Sequence, residues 1–391
     1  MRSGVTCVST LALLLASGVA LAQASGEPAV APVVAPTEPP KVEVPAPSTE
    51  PEKSAEANTT PAKPHQSAAN NAIAGEMTPA LDAGIERGLA ALARLQKEDG
   101  SFGDGAFGGN VAITSLACLA FMANGDVPGR GAYGDNISKG LEFVLKSCEG
   151  SGLIAGPAAN GPMYGHGFAT LFLGEVYGMT VGGGDTQLSD RVHQSLVRAV
   201  RLIETTQNDE GGWRYNPVPY DADVSVTICQ VMALRSARNA GLETNKNVID
   251  RAVQYVRACQ NPDGGFRYQM NVGQSAWPRS AAGVATLYYA GIYEDRAVDS
   301  GLTYLRDVGF PGKTVGQQIH YWYGQYYTAQ AMFLSGGSGW ADWWPQGRAE
   351  ILKSQSVMGL WEDASVGNAY GTSMALIVLQ MPKRYLPIFQ K

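Results

Sequence analysis

The sequence predicts an all-α domain of six helical hairpins. Three observations carry this: a glycine turn that recurs along the chain, an amphipathic stretch before most copies, and a nearly all-apolar stretch after each. The turn reads Gln, then Gly four residues on, then an aromatic two beyond that. Copies stand at Gln96…Gly100…Phe102, Gln207…Gly211…Trp213, Gln260…Gly264…Phe266 and Gln355…Gly359…Trp361. A worn copy is Cys148…Gly152…Ile154, and a sixth, at Gly309, keeps little but its preceding helix.

The first helix of each hairpin is two-faced. In the first copy Ile85, Leu89, Leu92 and Leu95 follow helical spacing. Thr78-Pro79 supplies a capping hydroxyl and a proline at the first helical position. The second helix is apolar almost all round, as in Ala112 to Phe121, which suits a helix enclosed by an outer layer. A threonine sets its register at Thr114, Thr170, Thr227, Thr328 and Thr372, with Val284 in the fourth unit. Four residues earlier stand Asn110, His166, Asp223, Ser280, Gly324 and Asn368. Asn, Asp, Ser and Gly are helix-capping types, so these positions are expected to cap the inner helices and to share one rim. The units repeat every 44 to 57 residues, the mark of stacked hairpins. Periodicity alone leaves an open solenoid and a closed ring both possible.

Two segments precede this domain. Arg2, the apolar stretch from Leu11 to Leu21 and the small-x-small Ala20-Leu21-Ala22 read as a signal peptide over residues 1–22. The stretch is too short for a membrane span, so no transmembrane anchor is expected after cleavage. A secreted or periplasmic location follows. Residues 23–76 are rich in Pro, Ala, Glu and Lys and lack the apolar surface to offset ordering, which predicts a disordered linker. Residues 77–391 are globular in composition. The net charge of −6 without a basic stripe argues against nucleic acid. Cys118, Cys148, Cys229 and Cys259 allow three disulfide pairings or four small buried side chains, and sequence does not choose.

The Gln-x-x-x-Gly-x-aromatic turn resembles the QW motif of squalene and hopene cyclases and the related repeat of protein prenyltransferase β-subunits. The resemblance spans residues 78–381. It implies an (α/α)6 toroid around a central, often apolar cavity, with the glutamines tying neighbouring helix ends together. Its chemistry does not carry over intact. Aligned through Thr227, the acidic motif of the cyclases falls on Asp223, Ser225 and Val226, so serine stands where that family places its proton donor. Against the prenyltransferases, Asp223 matches one zinc ligand, but Ser225 replaces the cysteine and Tyr327 the histidine. His320 lies seven residues before Tyr327. One ligand of about three does not make a catalytic zinc site, so no metal is expected. No phosphate loop or nucleotide fingerprint appears, and no cofactor is expected.

The candidate residues are those left at the cap positions and in an aromatic cluster. Asp223 and His166 are acid–base candidates, His166 because histidine caps poorly and stands between two glycines in Tyr164-Gly165-His166-Gly167. Tyr164, Ser225, Gln230, His320, Tyr323, Tyr327 and Gln330 are candidates to line the lumen. Glu175, on an inner helix, needs a partner such as an arginine. The Gly182-Gly183-Gly184 run reads as a flexible turn. The reading is an exported toroid that binds an apolar or mixed ligand, isoprenoid or lipid-like, without the usual cyclase acid or zinc. A non-catalytic scaffold or carrier and a polysaccharide-active α/α barrel remain alternatives, because fold does not determine function. Protein partners are not indicated.

Overall fold

The first hairpin sets the pattern for the rest. Thr78 has extended backbone, its hydroxyl accepts the Leu81 N–H at 3.2 Å, and Pro79 follows. The helix then runs Pro79–Ala93 and buries Leu81, Ile85, Leu89 and Leu92 on one side. The computed structural model describes residues 75–156, 161–180, 185–314 and 320–390, and this is its α1. The segment expected to be a signal peptide, the expected linker through residue 74 and the Gly182-Gly183-Gly184 run lie outside the described residues.

Twelve α-helices and no β-strand occur among the described residues. In chain order the hairpins pair α1 with α2 (Val111–Met122), α3 (Gly134–Lys146) with α4 (Met163–Thr180), and α5 (Thr186–Thr205) with α6 (Val224–Asn239). Then α7 (Lys246–Ala258) pairs with α8 (Trp277–Tyr289), α9 (Arg296–Val308) with α10 (Tyr321–Ser335), and α11 (Gly337–Lys353) with α12 (Asn368–Gln380). The even-numbered helices pack in succession, and α12 packs back on α2, so they form a closed inner ring. The odd-numbered helices form the outer layer, with α1 lying on α12 to complete the circle. Every residue of α2 but Ala112 is buried, whereas α3 buries only one side.

Neighbouring hairpins are joined by the glutamines. The Gln207 amide donates to Gly211 O and to Val248 O at the start of α7, both at 2.8 Å. Gln96 does the same to Gly100 O and Asn136 O, and Gln260 to Gly264 O and Ala297 O. Gln355 donates to Gly359 O and, across the closure, to Gly84 O of α1 at 2.9 Å. The turn glycines have positive φ (+99° at Gly211), and a Cβ on Gly211 would stand 2.3 Å from Arg251 O of the next outer helix. Glycine is required there twice over, by conformation and by approach.

The described cysteines are unpaired: Cys118, Cys229 and Cys259 are buried among apolar residues and Cys148 is half-buried. The C-terminal segment after α12 folds back across the tail end of the ring as two short 3-10 turns, Met381–Lys383 and Pro387–Phe389. No described helix is long and apolar enough to cross a membrane.

Gln207→Ala leaves the Gly211 and Val248 carbonyls without their buried donor and is expected to lower unfolding free energy by about 1–3 kcal/mol. Gly211→Ala is expected to cost more, since strain and backbone collision add. Urea unfolding of the two variants beside wild type measures both; a Gly211→Ala loss smaller than that of Gln207→Ala would contradict this account of the turn.

Candidate functional site

The antiparallel hairpins bring the N-termini of all six inner helices to one end of the ring, the mouth. The predicted rim of caps forms only in part. Asn110 caps α2, accepting the Ala112 and Ile113 N–H groups at 2.9 and 3.2 Å, and Asp223 caps α6, accepting the Val226 N–H at 2.9 Å. His166, Ser280 and Gly324 instead occupy the fourth residues of their helices, and Asn368 opens α12 after Gly367. The expected register is therefore corrected by one turn in the second, fourth and fifth units.

The reason lies in the turns. The backbone N–H after a glycine turn needs a buried acceptor, and in five of the units an inner-helix side chain supplies it. Thr114 accepts from Phe102, Thr227 from Trp213 and Thr372 from Trp361. Ser280 does so for Phe266 at 2.8 Å, and His166 Nδ1 for Ile154 at 3.1 Å. His166 is thus the counterpart of Thr114, not of Asn110. Its Nε2 lies 3.2 Å from Ala199 O of the outer helix α5, which requires that this nitrogen carry the proton. Burial lowers its pKa to about 4, so the ring is neutral. The structure does not bring His166 to Asp223.

Around Asp223 a different group assembles. The side chain is fully buried, Oδ2 accepts the Tyr268 hydroxyl at 3.2 Å, and Arg214 Nε lies 3.8 Å away. Arg214 pairs directly with Asp221, and its guanidinium lies 5.1 and 5.7 Å from the ring centres of Tyr215 and Tyr268. The Tyr215 and Tyr268 hydroxyls meet, forming a chain from the buried carboxyl to half-buried Tyr215. The Tyr164 ring lies tilted at 6.2 Å from that of Tyr215, and burial beside Asp223 and Tyr323 raises its hydroxyl pKa well above the ordinary value. Burial also raises the Asp223 pKa to about 7, against the lowering by the Val226 N–H, Arg214 and Tyr268. Loss of hydration outweighs the donors, and the carboxyl holds a proton near neutrality.

Of the predicted lumen residues, Tyr164 and Tyr323 stand at this mouth, the latter donating to Ser225 O at 3.1 Å. His320 is exposed at the rim with a left-handed backbone just before α10. Tyr327 is deeper, its hydroxyl 3.6 Å from Cys229 Sγ, with Tyr323 and Tyr326 edge-on at 4.7 and 4.9 Å. Gln230 ties α6 to Met163 O at 2.8 Å, and Gln330 accepts the Tyr289 hydroxyl, so both serve as links between inner helices. Phe168 of α4 meets Tyr326 of α10 across the ring at 6.3 Å. Side chains occupy the axis at that level, where the resemblance implied a cavity. An open recess of about 520 Å³ beside Asp99, Phe143 and Lys146 lies between the first two turns and contains none of these groups.

Zinc does not fit the residues present. Both Asp223 oxygens accept protein donors and the Tyr327 hydroxyl faces a thiol. Among the described residues no three His, Cys, Asp or Glu side chains converge. Sequence reading missed Arg214, Tyr215 and Tyr268. Their signal was a longer repeat: Gly-Gly-Trp-Arg-Tyr at 211–215 returns as Gly-Gly-Phe-Arg-Tyr at 264–268.

No protein-family model matches the sequence, and no curated protein matches it. Solved structures do match in fold. The type II terpene cyclase MstE from Scytonema aligns over 79% of this chain and 98% of its own at 13% identity and a TM-score of 0.51. A D-mannose isomerase aligns over 78% and 97% at 14% identity, TM-score 0.56. A sugar epimerase from a ruminal bacterium aligns over 80% and 98% at 14% identity, TM-score 0.53. At such identities the likeness is one of fold, and the chain is an α/α toroid.

A neutral buried His166 contributes stability that is lost as pH falls from the ordinary 6.5 towards 4, because only the unfolded chain binds the proton in that window. His166→Gln can keep both backbone bonds without titrating. Its unfolding free energy is expected to fall less steeply with acid than wild type's, by up to about 1.4 kcal/mol per pH unit. Equal slopes between pH 4 and 6.5 would refute the assignment.

Proposed function

We propose that the protein is exported and binds an apolar or mixed small molecule, isoprenoid or lipid-like, at the tyrosine-lined mouth of its ring. Export rests on the leader pattern of Arg2, Leu11 to Leu21 and Ala20-Leu21-Ala22. The single observation that carries the binding reading is Asp223, a fully buried carboxyl that holds its proton to about pH 7 beside the rings of Tyr164, Tyr268 and Tyr323. A proton donor of that kind, surrounded by aromatic faces, suits a weakly basic, largely apolar reactant more than a charged one. In this reading Asp223 donates the proton, and Tyr268 and Tyr215 return it from the surface through their linked hydroxyls. Tyr164 and Tyr323 hold the ligand.

The comparison proteins include a terpene cyclase and two enzymes of sugars, so the ring alone does not choose between such ligands. A saccharide reading needs converging carboxylates or a His/Tyr pair in the lumen, and His166 is turned to the outer layer. A non-catalytic scaffold or carrier is the second reading. It is favoured by the contact of Phe168 with Tyr326 across the ring, which limits a ligand to the mouth.

Native mass spectrometry with lipid extraction, on protein purified from its own host, tests these readings. A co-purifying isoprenoid or lipid that is lost in Tyr164→Ala and Tyr323→Ala is expected. Bare protein at native mass, repeatedly, would move the conclusion to the scaffold. With any substrate so found, Asp223→Asn is expected to reduce turnover by about 100-fold or more. Wild-type turnover should fall about tenfold per pH unit above pH 7, as the acid form is depleted.

A further inference from the structure

We propose that the C-terminal segment is a releasable plug in the tail end of the ring, latched through Glu175 and let go as that carboxyl loses its proton. The segment crosses the ring opposite the mouth. Pro387–Phe389 packs on both α6 and α10, the Arg384 guanidinium lies 5.6 Å from the Phe333 ring centre, and Lys383 donates to Asn124 at 2.7 Å. Leu386, Ile388 and Phe389 are buried, while Tyr385 is half-exposed over Gly125. Among the described residues, Leu386 to Phe389 are held to the wall by their apolar side chains and by one backbone bond, that of the Ile388 N–H.

That bond is to Glu175. Its Oε2 accepts the Ile388 N–H at 3.2 Å, and its Oε1 accepts the Ser236 hydroxyl at 2.7 Å. The tail therefore provides one of the two donors to a carboxyl that is 2% exposed. Tyr289 of α8 and Tyr326 of α10 face the same carboxyl, and Arg235 of α6 lies beside Tyr289. The arginine partner expected from sequence is not found: no cation pairs with Glu175 among the described residues. The Ile388 N–H reaches Glu175 only while the tail is seated.

The sign of the coupling follows. Burial raises the Glu175 pKa from 4.5 to about 7, against the lowering by Ser236 and Ile388. Lifting the tail hydrates the carboxyl and returns it towards 4.5. The seated state is fully favoured below pH 4.5 and loses about tenfold per unit as pH rises to 7, then levels off. The plug closes in acid and loosens towards neutrality. This device stands whether or not the mouth binds a ligand.

Hydrogen exchange of the full chain tests it, read as the protection factor at the Ile388 amide, with Val231 in the middle of α6 as reference. Between pH 5 and 7, Ile388 protection is expected to fall about tenfold per unit relative to Val231 in wild type, and to stay level in Glu175→Gln. A wild-type ratio that does not change with pH would overturn the proposal. So would an equal slope in Glu175→Gln. If that variant fails to fold, the wild-type ratio still decides.

Discussion

Each primary amide of the turn glutamines carries two hydrogens, and the ring depends on where they go. One satisfies the carbonyl of the glycine in the same turn, the other a carbonyl in the first turns of the next outer helix. A single side chain thus fixes both the shape of a turn and the distance to the neighbouring hairpin. The glycine makes that distance possible, because a Cβ at Gly100, Gly152, Gly211 or Gly264 would lie within 2.5 Å of a backbone carbonyl in that neighbour. Six steps, four of them made by such glutamines, must sum to a full circle. They do so because Gln355 reaches Gly84, linking the last hairpin to the first across 271 residues of sequence.

Two steps lack the glutamine, and at the second turn Cys148 stands in its place. The fifth turn has no glutamine, and Glu350 of α11 takes over its task, accepting from the Gly312 N–H, Thr314, Tyr321 and Gln325. The substitution reverses the polarity of the link: a carboxylate collects donors where an amide elsewhere satisfies acceptors. Close by in sequence, at the start of α11, the chain preceding α1 is tied down as well. Trp340 donates to the Glu76 carboxylate, and Trp344 and Arg348 donate to its backbone carbonyl. The ring's least regular hairpins are therefore held by charge-assisted bonds and indole donors.

How legible this was differs between fold and site. The hairpins could be read because helical periodicity and positive-φ glycines leave direct traces in sequence. The cap register was misread at His166 and Ser280 because their neighbours follow the same four-residue spacing as Asn110 and Thr114. A residue's identity does not reveal which of two adjacent turns it occupies when both offer a backbone group to bind. Histidine served as an acceptor there through Nδ1, a role a threonine hydroxyl plays in other units. The Asp223 environment was only half legible. Its position was visible, but its partners come from the connection after the third turn and from the fourth turn, 45 residues away at Tyr268. Such pairs meet only once the ring is closed.

The same closure explains why a ring of apolar helices has so polar an end. Helix N-termini leave N–H groups unsatisfied, and all six inner helices present theirs at the mouth. Some of the demand is met by short caps, and some by side chains of the turns. The tyrosines there satisfy two requirements at once, presenting an apolar face for packing and a hydroxyl for the backbone or for Asp223. At the other end the inner helices expose carbonyls and apolar side chains, and the returning C-terminal segment covers them with Leu386, Ile388 and Phe389. Two unlike ends follow from one chain direction repeated six times. A buried carboxyl at each, Asp223 at the mouth and Glu175 under the tail, has its pKa raised to about 7 for the same reason: burial outweighs the donors around it.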